Sequence, residues 1–333
     1  MARGSGEVLG VFRGPRVLSG AAIASLSTGE LDRRLALPAE LGVVVASDEA
    51  LFVGAFGRAP GDGLSRAPHA PRFRRGSGGP AVALGPGTVH VSLSLAHPGA
   101  LVPCDEKRIV NRYVRPLLRA ITSTSRAQAH YFGRDWVSLA HRPVAWVGFA
   151  HDASSRRTLF EAFVAVRTPF AREDGASFRG HAPATLEEIA GKDVDAGEVA
   201  QAIVAAYARD AEVVPLADEG APIEGDARAG TAVDATPWRA TREEAIGRVG
   251  AGPDASGVFR LGGDLMASRD AIARLEARVA DGTGRTVEEL GRLVDEALAA
   301  PGVALEGVRS LTSLRDAIAE ALSSSPSPRS SPP

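Results

Sequence analysis

The stretch Arg74-Arg75-Gly76-Ser77-Gly78-Gly79-Pro80-Ala81-Val82, with the run Thr88-Val89-His90-Val91-Ser92-Leu93-Ser94-Leu95 behind it, decides how this chain is read. Glycines without Cβ let backbone N–H groups approach a ligand or take up positive φ, and Arg74 and Arg75 offer planar forks to a phosphate or carboxylate. An anion-facing loop is the first reading; an ordinary surface loop with two solvated arginines fits the same residues. No Gly-Lys-Ser/Thr follows the glycines, which excludes a Walker A loop. Val89, Val91, Leu93 and Leu95 alternate with His90, Ser92 and Ser94, the period of a half-buried strand. Loop followed by strand also departs from the dinucleotide fingerprint, which needs a helix there.

A chain of 333 residues fits about two domains. Its 44% hydrophobic and 23% charged residues are those of a globular protein. A net charge of −2 gives no basic face for a nucleic-acid partner. Lys107 and Lys192 are the only lysines, and the single cysteine, Cys104, excludes an intrachain disulfide and a cysteine-built zinc site. A reducing cytoplasm is the simplest home. The sequence after Met1 enters no signal-like apolar region, and no run of about 18 apolar residues suggests a membrane span.

Along the chain, Leu41 to Ala46 reads as a buried strand, and Gly57 to Pro71 as a loop rich in Gly, Pro and Arg. A helix is expected from Asp105, with Ile109, Tyr113, Leu117 and Ile121 at helical spacing and Pro116 kinking or stopping it. Apolar runs at Trp136 to Ala140, Val144 to Phe149 and Leu159 to Val166 predict an antiparallel meander, with His141-Arg142-Pro143 between the first two. Thr185 with Glu188, and Asp195 with Glu198, open two helices. From Leu216 to Pro253 little periodicity is left apart from a possible helix at Thr241 and Glu244, so 216–253 reads as a linker. A strand at Gly257 to Leu261 and helices at Ser268 to Val279, Thr286 to Ala299 and Thr312 to Leu322 follow. Residues 323–333, nearly all Ser and Pro, read as a disordered tail.

Arg74 to Ser94 resembles the arginine-arginine-x-serine-glycine-rich loop and following strand of the A-type lipoate-protein ligases, within the biotin and lipoate ligase superfamily. Gly133-Arg134-Asp135 is similar to that family's glycine-arginine-asparagine-aspartate segment. Arg157-Thr158-Leu159-Phe160 matches its threonine-leucine-leucine strand start, and Gly257 to Leu322, with Gly263-Asp264, its small carboxy-terminal domain. The resemblance implies an α+β fold: a mixed β-sheet flanked by helices, akin to a class II synthetase core, over 1–215, and a small α/β domain over 254–322. It implies activation of lipoate or octanoate by ATP and Mg²⁺ as an acyl-adenylate. The acyl group would then pass to a lysine on the acceptor domain of a 2-oxoacid dehydrogenase or glycine-cleavage protein. Arg74 and Arg75 would serve the anionic end, and Ser77, Gly78, Gly79 and Ala81 would line the acyl path. Asp135 would hold Mg²⁺ with the nucleotide, or cap a turn.

The chain also departs from the family. Pro80 replaces the third glycine, Leu84 and Gly85 stand for a histidine-aspartate pair, and Thr88 for an asparagine. The catalytic glycine-arginine-lysine-x-serine-glycine reads His141-Arg142-Pro143-Val144-Ala145-Trp146. Arg142 then stands as the catalytic cation or as a hairpin surface residue, though a fixed fork does not replace a flexible ammonium. Trp146 fills either the core or the acyl pocket itself. Three activities follow: an acyl-adenylate-forming ligase, a noncatalytic homologue that binds a lipoyl-type ligand or an acceptor domain, and an octanoyltransferase working through a Cys104 thiolate. His90 reads as a satisfied polar partner.

Overall fold

The apolar run at 41–46 and the alternating run at 88–95 lie side by side. Val89–Leu95 sits between Ala39–Ala46 and Thr158–Val164 and is antiparallel to both. The computed structural model describes residues 7–12, 16–58, 70–172, 180–216, 233–282 and 286–324. Among these, the largest sheet has nine strands. Its order is Glu212–Leu216, Val8–Phe12, Ala39–Ala46, Val89–Leu95, Thr158–Val164, Arg142–His151, Trp136–Leu139 and Ala129–Tyr131, with Arg16–Leu18 also on Ala39–Ala46. The first three and Arg16–Leu18 pair in parallel and the rest antiparallel, so the sheet is mixed.

Both faces of this sheet are covered. On one lie helices Ile109–Ser125 and Ala196–Ala208, whose Tyr113, Leu117, Ile121, Val199 and Ile203 share a core with Val91, Leu93 and Phe149. Asp105 accepts the Lys107 N–H ahead of the first helix. Pro116 does not stop that helix: it is itself buried, and the apolar face around it offsets the roughly 3 kcal/mol a mid-helix proline costs. On the other face lie helix Gly20–Gly29 and a four-stranded sheet of Ala171–Arg172, Val82–Leu84, Ala50–Val53 and Arg72–Arg74. Ile23, Phe52, Val82, Trp146 and Phe163 form the core between them. His90, Ser92 and Ser94, expected on a solvated face, are therefore buried under this second layer.

The hairpin turn also differs from its expectation. Ala140 and His141 carry φ of 46° and 63°, the paired positive values of a two-residue hairpin turn. Arg142 and Pro143 consequently begin the returning strand instead of forming the turn. Thr185 and Asp195 cap their helices through Glu188 and Glu198 N–H groups, as the sequence suggests.

Thr241 and Glu244 open no helix. Ala240–Glu243 is a strand paired with Arg248–Pro253, which pairs in turn with Phe259–Gly263. Four glycines and few long apolar side chains hide the strand period there from the sequence. Residues 240–253, read as linker, thus extend the carboxy-terminal module, whose core joins Leu261, Ile272, Leu275, Leu290, Leu293 and Leu314. Its helices are Arg269–Ala280, Val287–Leu298 and Leu311–Ser323, the second opened by a Thr286–Glu289 capping box. Residues 217–232 of the expected linker, 59–69 of the expected loop and 325–333 of the expected tail lie outside the described residues. No helix among the described residues is long and apolar enough to cross a membrane.

Candidate functional site

The glycine loop leaves the small sheet at Arg74 and crosses the buried polar patch of the large one. Each of its N–H groups finds a protein acceptor. Gly76 donates to Ser27 Oγ at 2.6 Å, Ser77 to Glu161 Oε2 at 3.0 Å, Gly78 to the Phe149 carbonyl at 2.9 Å and Gly79 to the Leu265 carbonyl at 3.0 Å. Pro80 has no N–H to give. A loop so committed has no backbone donor turned toward an anion.

Consecutive side chains in extended chain point to opposite sides, and here that separates the two arginines. Arg75 turns inward and is 1% exposed. Its Nη1 donates to the Phe52 carbonyl at 3.0 Å, its Nη2 to those of Gly78 and Pro80 at 3.0 and 2.9 Å, and its guanidinium lies 3.9 Å from the Trp146 ring centroid. Arg74 turns outward, where its Nη1 donates to the Gly54, Ala55 and Gly57 carbonyls.

Trp146 occupies the space that the glycines open. It is fully buried, and a Cβ on Gly79, whose φ is +100°, would stand 2.8 Å from the indole, while one on Gly148 would overlap it. Glycine is required at both positions by the indole itself. The indole Nε1 has no hydrogen-bond partner, nor has the buried Ser77 Oγ. Leu265, from the carboxy-terminal module, closes the loop from the opposite side through its carbonyl. Ala81 faces away, packing with Leu51, Val53 and Ala83.

Arg142 and the loop meet the same strand at its two ends. Arg142 pairs with Leu139, whereas Gly78 bonds Phe149 seven residues on, roughly 20 Å at the rise of a strand. The Arg142 guanidinium donates to Glu188 Oε2 and the Pro183 carbonyl, both at 2.8 Å. Asp135 is 1% exposed, with its carbonyl accepting the Val147 N–H. Cys104 donates to the Asp105 carbonyl, and burial, with Asp105 adding to it, pushes its thiol up to about 11, the reverse of what a nucleophile needs.

Beneath the loop, Glu161 is fully buried, with Oε1 2.8 Å from His90 Nε2. Burial drives its carboxyl upward, but hydrogen bonds and charge from His90, with bonds from Ser77 and Ser27, outweigh that and hold it below the usual carboxylate range. The sequence gives one signal for it: Glu161 is the lone charge in an apolar run, in register with the polar side of the neighbouring strand.

Glu306 leaves no such signal. It lies on the short strand Leu305–Glu306 opposite Met266, and burial alone pushes its carboxyl up to about 7. Between the ordinary value of 4.5 and about 7 the folded chain keeps a proton that the unfolded chain has lost, so stability falls as pH rises through that window. Glu306→Gln is expected to raise stability by about 2 kcal/mol at pH 8, discounted for partial solvation, and to leave it unchanged at pH 4. Urea unfolding at the two pH values measures the difference; equal gains at both would refute it.

No family model matches the chain, and no curated protein does. Solved structures do. P. falciparum LipL1, in complex with lipoate, superposes with a TM-score of 0.62 at 11% identity, over 94% of this chain and 99% of that one. A bipartite lipoate protein ligase from Thermoplasma acidophilum, described with its E2 lipoyl domain, gives 0.45 at 16% identity, over 62% and 88%. Lipoate-protein ligase A bound with ATP gives 0.41 at 13%, over 62% and 90%. The first of these spans both the large sheet and the carboxy-terminal module. The chain takes the fold of LipL1.

Proposed function

We propose that this protein keeps the ligase fold without ligase chemistry, and acts by binding an acyl-acceptor domain instead of activating an acyl acid. One observation carries the reading. Trp146, stacked under Arg75 and pressed against Gly79 and Gly148, fills the volume that the resemblance assigns to the acyl chain. The loop N–H groups that would meet an anionic end are bonded within the protein, and the resemblance sets Pro143 against the family's lysine.

Three of the residues that the resemblance assigns to the anionic end, the metal and catalysis are closed to a nucleotide. Arg75 is enclosed, Asp135 is buried, and Arg142 is paired with Glu188 far along the strand. The resemblance also implies an acceptor domain as partner, and binding such a domain needs no open acyl slot. The fold likeness to LipL1 runs over 94% of this chain, so it takes in both modules.

The test is pyrophosphate exchange with ATP and lipoate, octanoate or biotin in turn, beside titration with an unmodified lipoyl domain. The expected result is no acid-dependent exchange and measurable domain binding; exchange above background overturns the reading. Trp146→Gly is expected to open the slot, so that lipoate raises the melting temperature of the variant more than that of the parent, as ligands do for an emptied apolar site.

A further inference from the structure

On the outward side of the glycine loop, a cavity of about 340 Å³ lies where the loop 55–58, the segment 234–238 and the carboxy-terminal helix Arg269–Ala280 converge. That volume is at the small end of those that hold small molecules. Phe56, Trp238, Leu261, Ile272 and Ala273 give it apolar walls, and charged residues stand among them.

Most of the charged groups on that wall are engaged within the protein. Asp254 Oδ1 accepts from Ser256 and Val258, and its Oδ2 from Arg260. Glu276 takes the Leu261 N–H on one oxygen and Arg260 on the other. Asp234 Oδ1 accepts the Thr236 N–H, while its Oδ2 is shut away from solvent 3.5 Å from Arg58 Nε. Arg58 spends both Nη groups on the Thr236, Pro237 and Gly252 carbonyls and lies over Trp238 at 3.7 Å. Arg269 is bonded to Asp32.

Arg74 is the cavity arginine engaged through one nitrogen, Nη1, by three carbonyls, which fixes the plane of the guanidinium. Its Nε and Nη2, the edge that grips a carboxylate or phosphate through two parallel bonds, are left over on the cavity wall. Asp234 is the acid whose charge acts on Arg74; its Oδ1 takes the Thr236 N–H and its Oδ2 is buried 3.5 Å from Arg58 Nε, so it turns no solvent-facing oxygen toward that edge.

We infer that this cavity is a binding site for a small organic oxyanion, a carboxylate or a phosphate ester with an apolar body, held by the free edge of Arg74. The anionic group lies on Arg74 and the body against Phe56, Leu261 and Ile272. The site is separate from the filled slot: Arg75 and Trp146 lie on the inner side of the loop, Arg74 on the outer.

Calorimetric titration of the full chain with benzoate and with phenyl phosphate tests this, since the two share a body and differ in the headgroup. Binding of either one supports the site, and the tighter of the two names its headgroup. Arg74→Gln is expected to weaken that binding at least about tenfold. That variant also disturbs the bonds to three carbonyls, so Ala273→Trp serves as the second probe. Ala273 is exposed on its helix, and an indole there fills the cavity without entering the core. The expected outcome is loss of binding at an unchanged melting temperature. No binding of either probe at millimolar concentration, or undiminished binding in Ala273→Trp, overturns the proposal.

Discussion

Glu161→Ala is expected to lower the unfolding free energy by about 3–5 kcal/mol, since it leaves several buried groups without their partner at about 1–3 kcal/mol each. The carboxylate is completely enclosed between the two sheets, and it ties together three elements. His90 comes from the strand beside it, Ser77 from the glycine loop and Ser27 from helix Gly20–Gly29. Truncation leaves the His90 ring and the Ser77 N–H without their acceptor where water cannot replace it. Glu161→Gln separates charge from hydrogen bonding: it keeps an acceptor for Ser77, and its loss is expected to be the smaller of the two.

The pH dependence has a fixed sign. The folded-state value of Glu161 is depressed, so its contribution is present above the unfolded value of 4.5 and lost as pH falls through the folded value. Parent and Glu161→Ala should therefore converge in stability as pH drops below about 4.5, and differ most near neutrality. Urea unfolding from pH 7 down to pH 3 measures this. A constant gap across that range would show that packing, not ionisation, is what Glu161 supplies.

The elements of the fold were largely legible because each carried its own period or cap. Val89 to Leu95 alternates, Thr185 and Asp195 announce helix starts, and the helix expected from Thr286 forms and opens there on a capping box with Glu289. What a local pattern cannot carry is coverage by a distant layer. His90 and Ser92 have the periodicity of a solvated face, and only the four-stranded sheet above them makes that face interior. Arg248–Pro253 failed for the opposite reason, since a six-residue strand with two glycines has few side chains with which to show a period.

The loop was legible as a place of close approach, and the approach is real. Its occupant was not legible. Whether glycines admit a ligand or an indole depends on a residue nearly seventy positions away, and the sequence offered Trp146 as core or as pocket filling without choosing. The carbonyl of Leu265 against Gly79 comes from another module altogether. Arginines 74 and 75 look equivalent in a string of letters, yet strand geometry sends one into the core and the other to a cavity wall.

Replacement of Arg75 is the sharper test of that division. Arg75→Met removes the cost of burying a guanidinium, which by itself favours the variant. It also strips the donors from the Phe52, Gly78 and Pro80 carbonyls, each costing about 1–3 kcal/mol when left buried without a partner, and removes the cation from the Trp146 face. The net loss is expected to be about 3 kcal/mol. Arg75→Lys should recover little of it, because one ammonium cannot reach carbonyls on two segments and lie flat on the indole together. Denaturant unfolding gives the free energies, and the near-ultraviolet circular dichroism of the folded variants reports whether Trp146 has kept its setting. A substrate-gripping arginine would show the reverse pattern: unchanged stability with weakened binding of an acyl acid or nucleotide. If Arg75→Met proves as stable as the parent and loses such a ligand, the closed slot is an incorrect account of this fold.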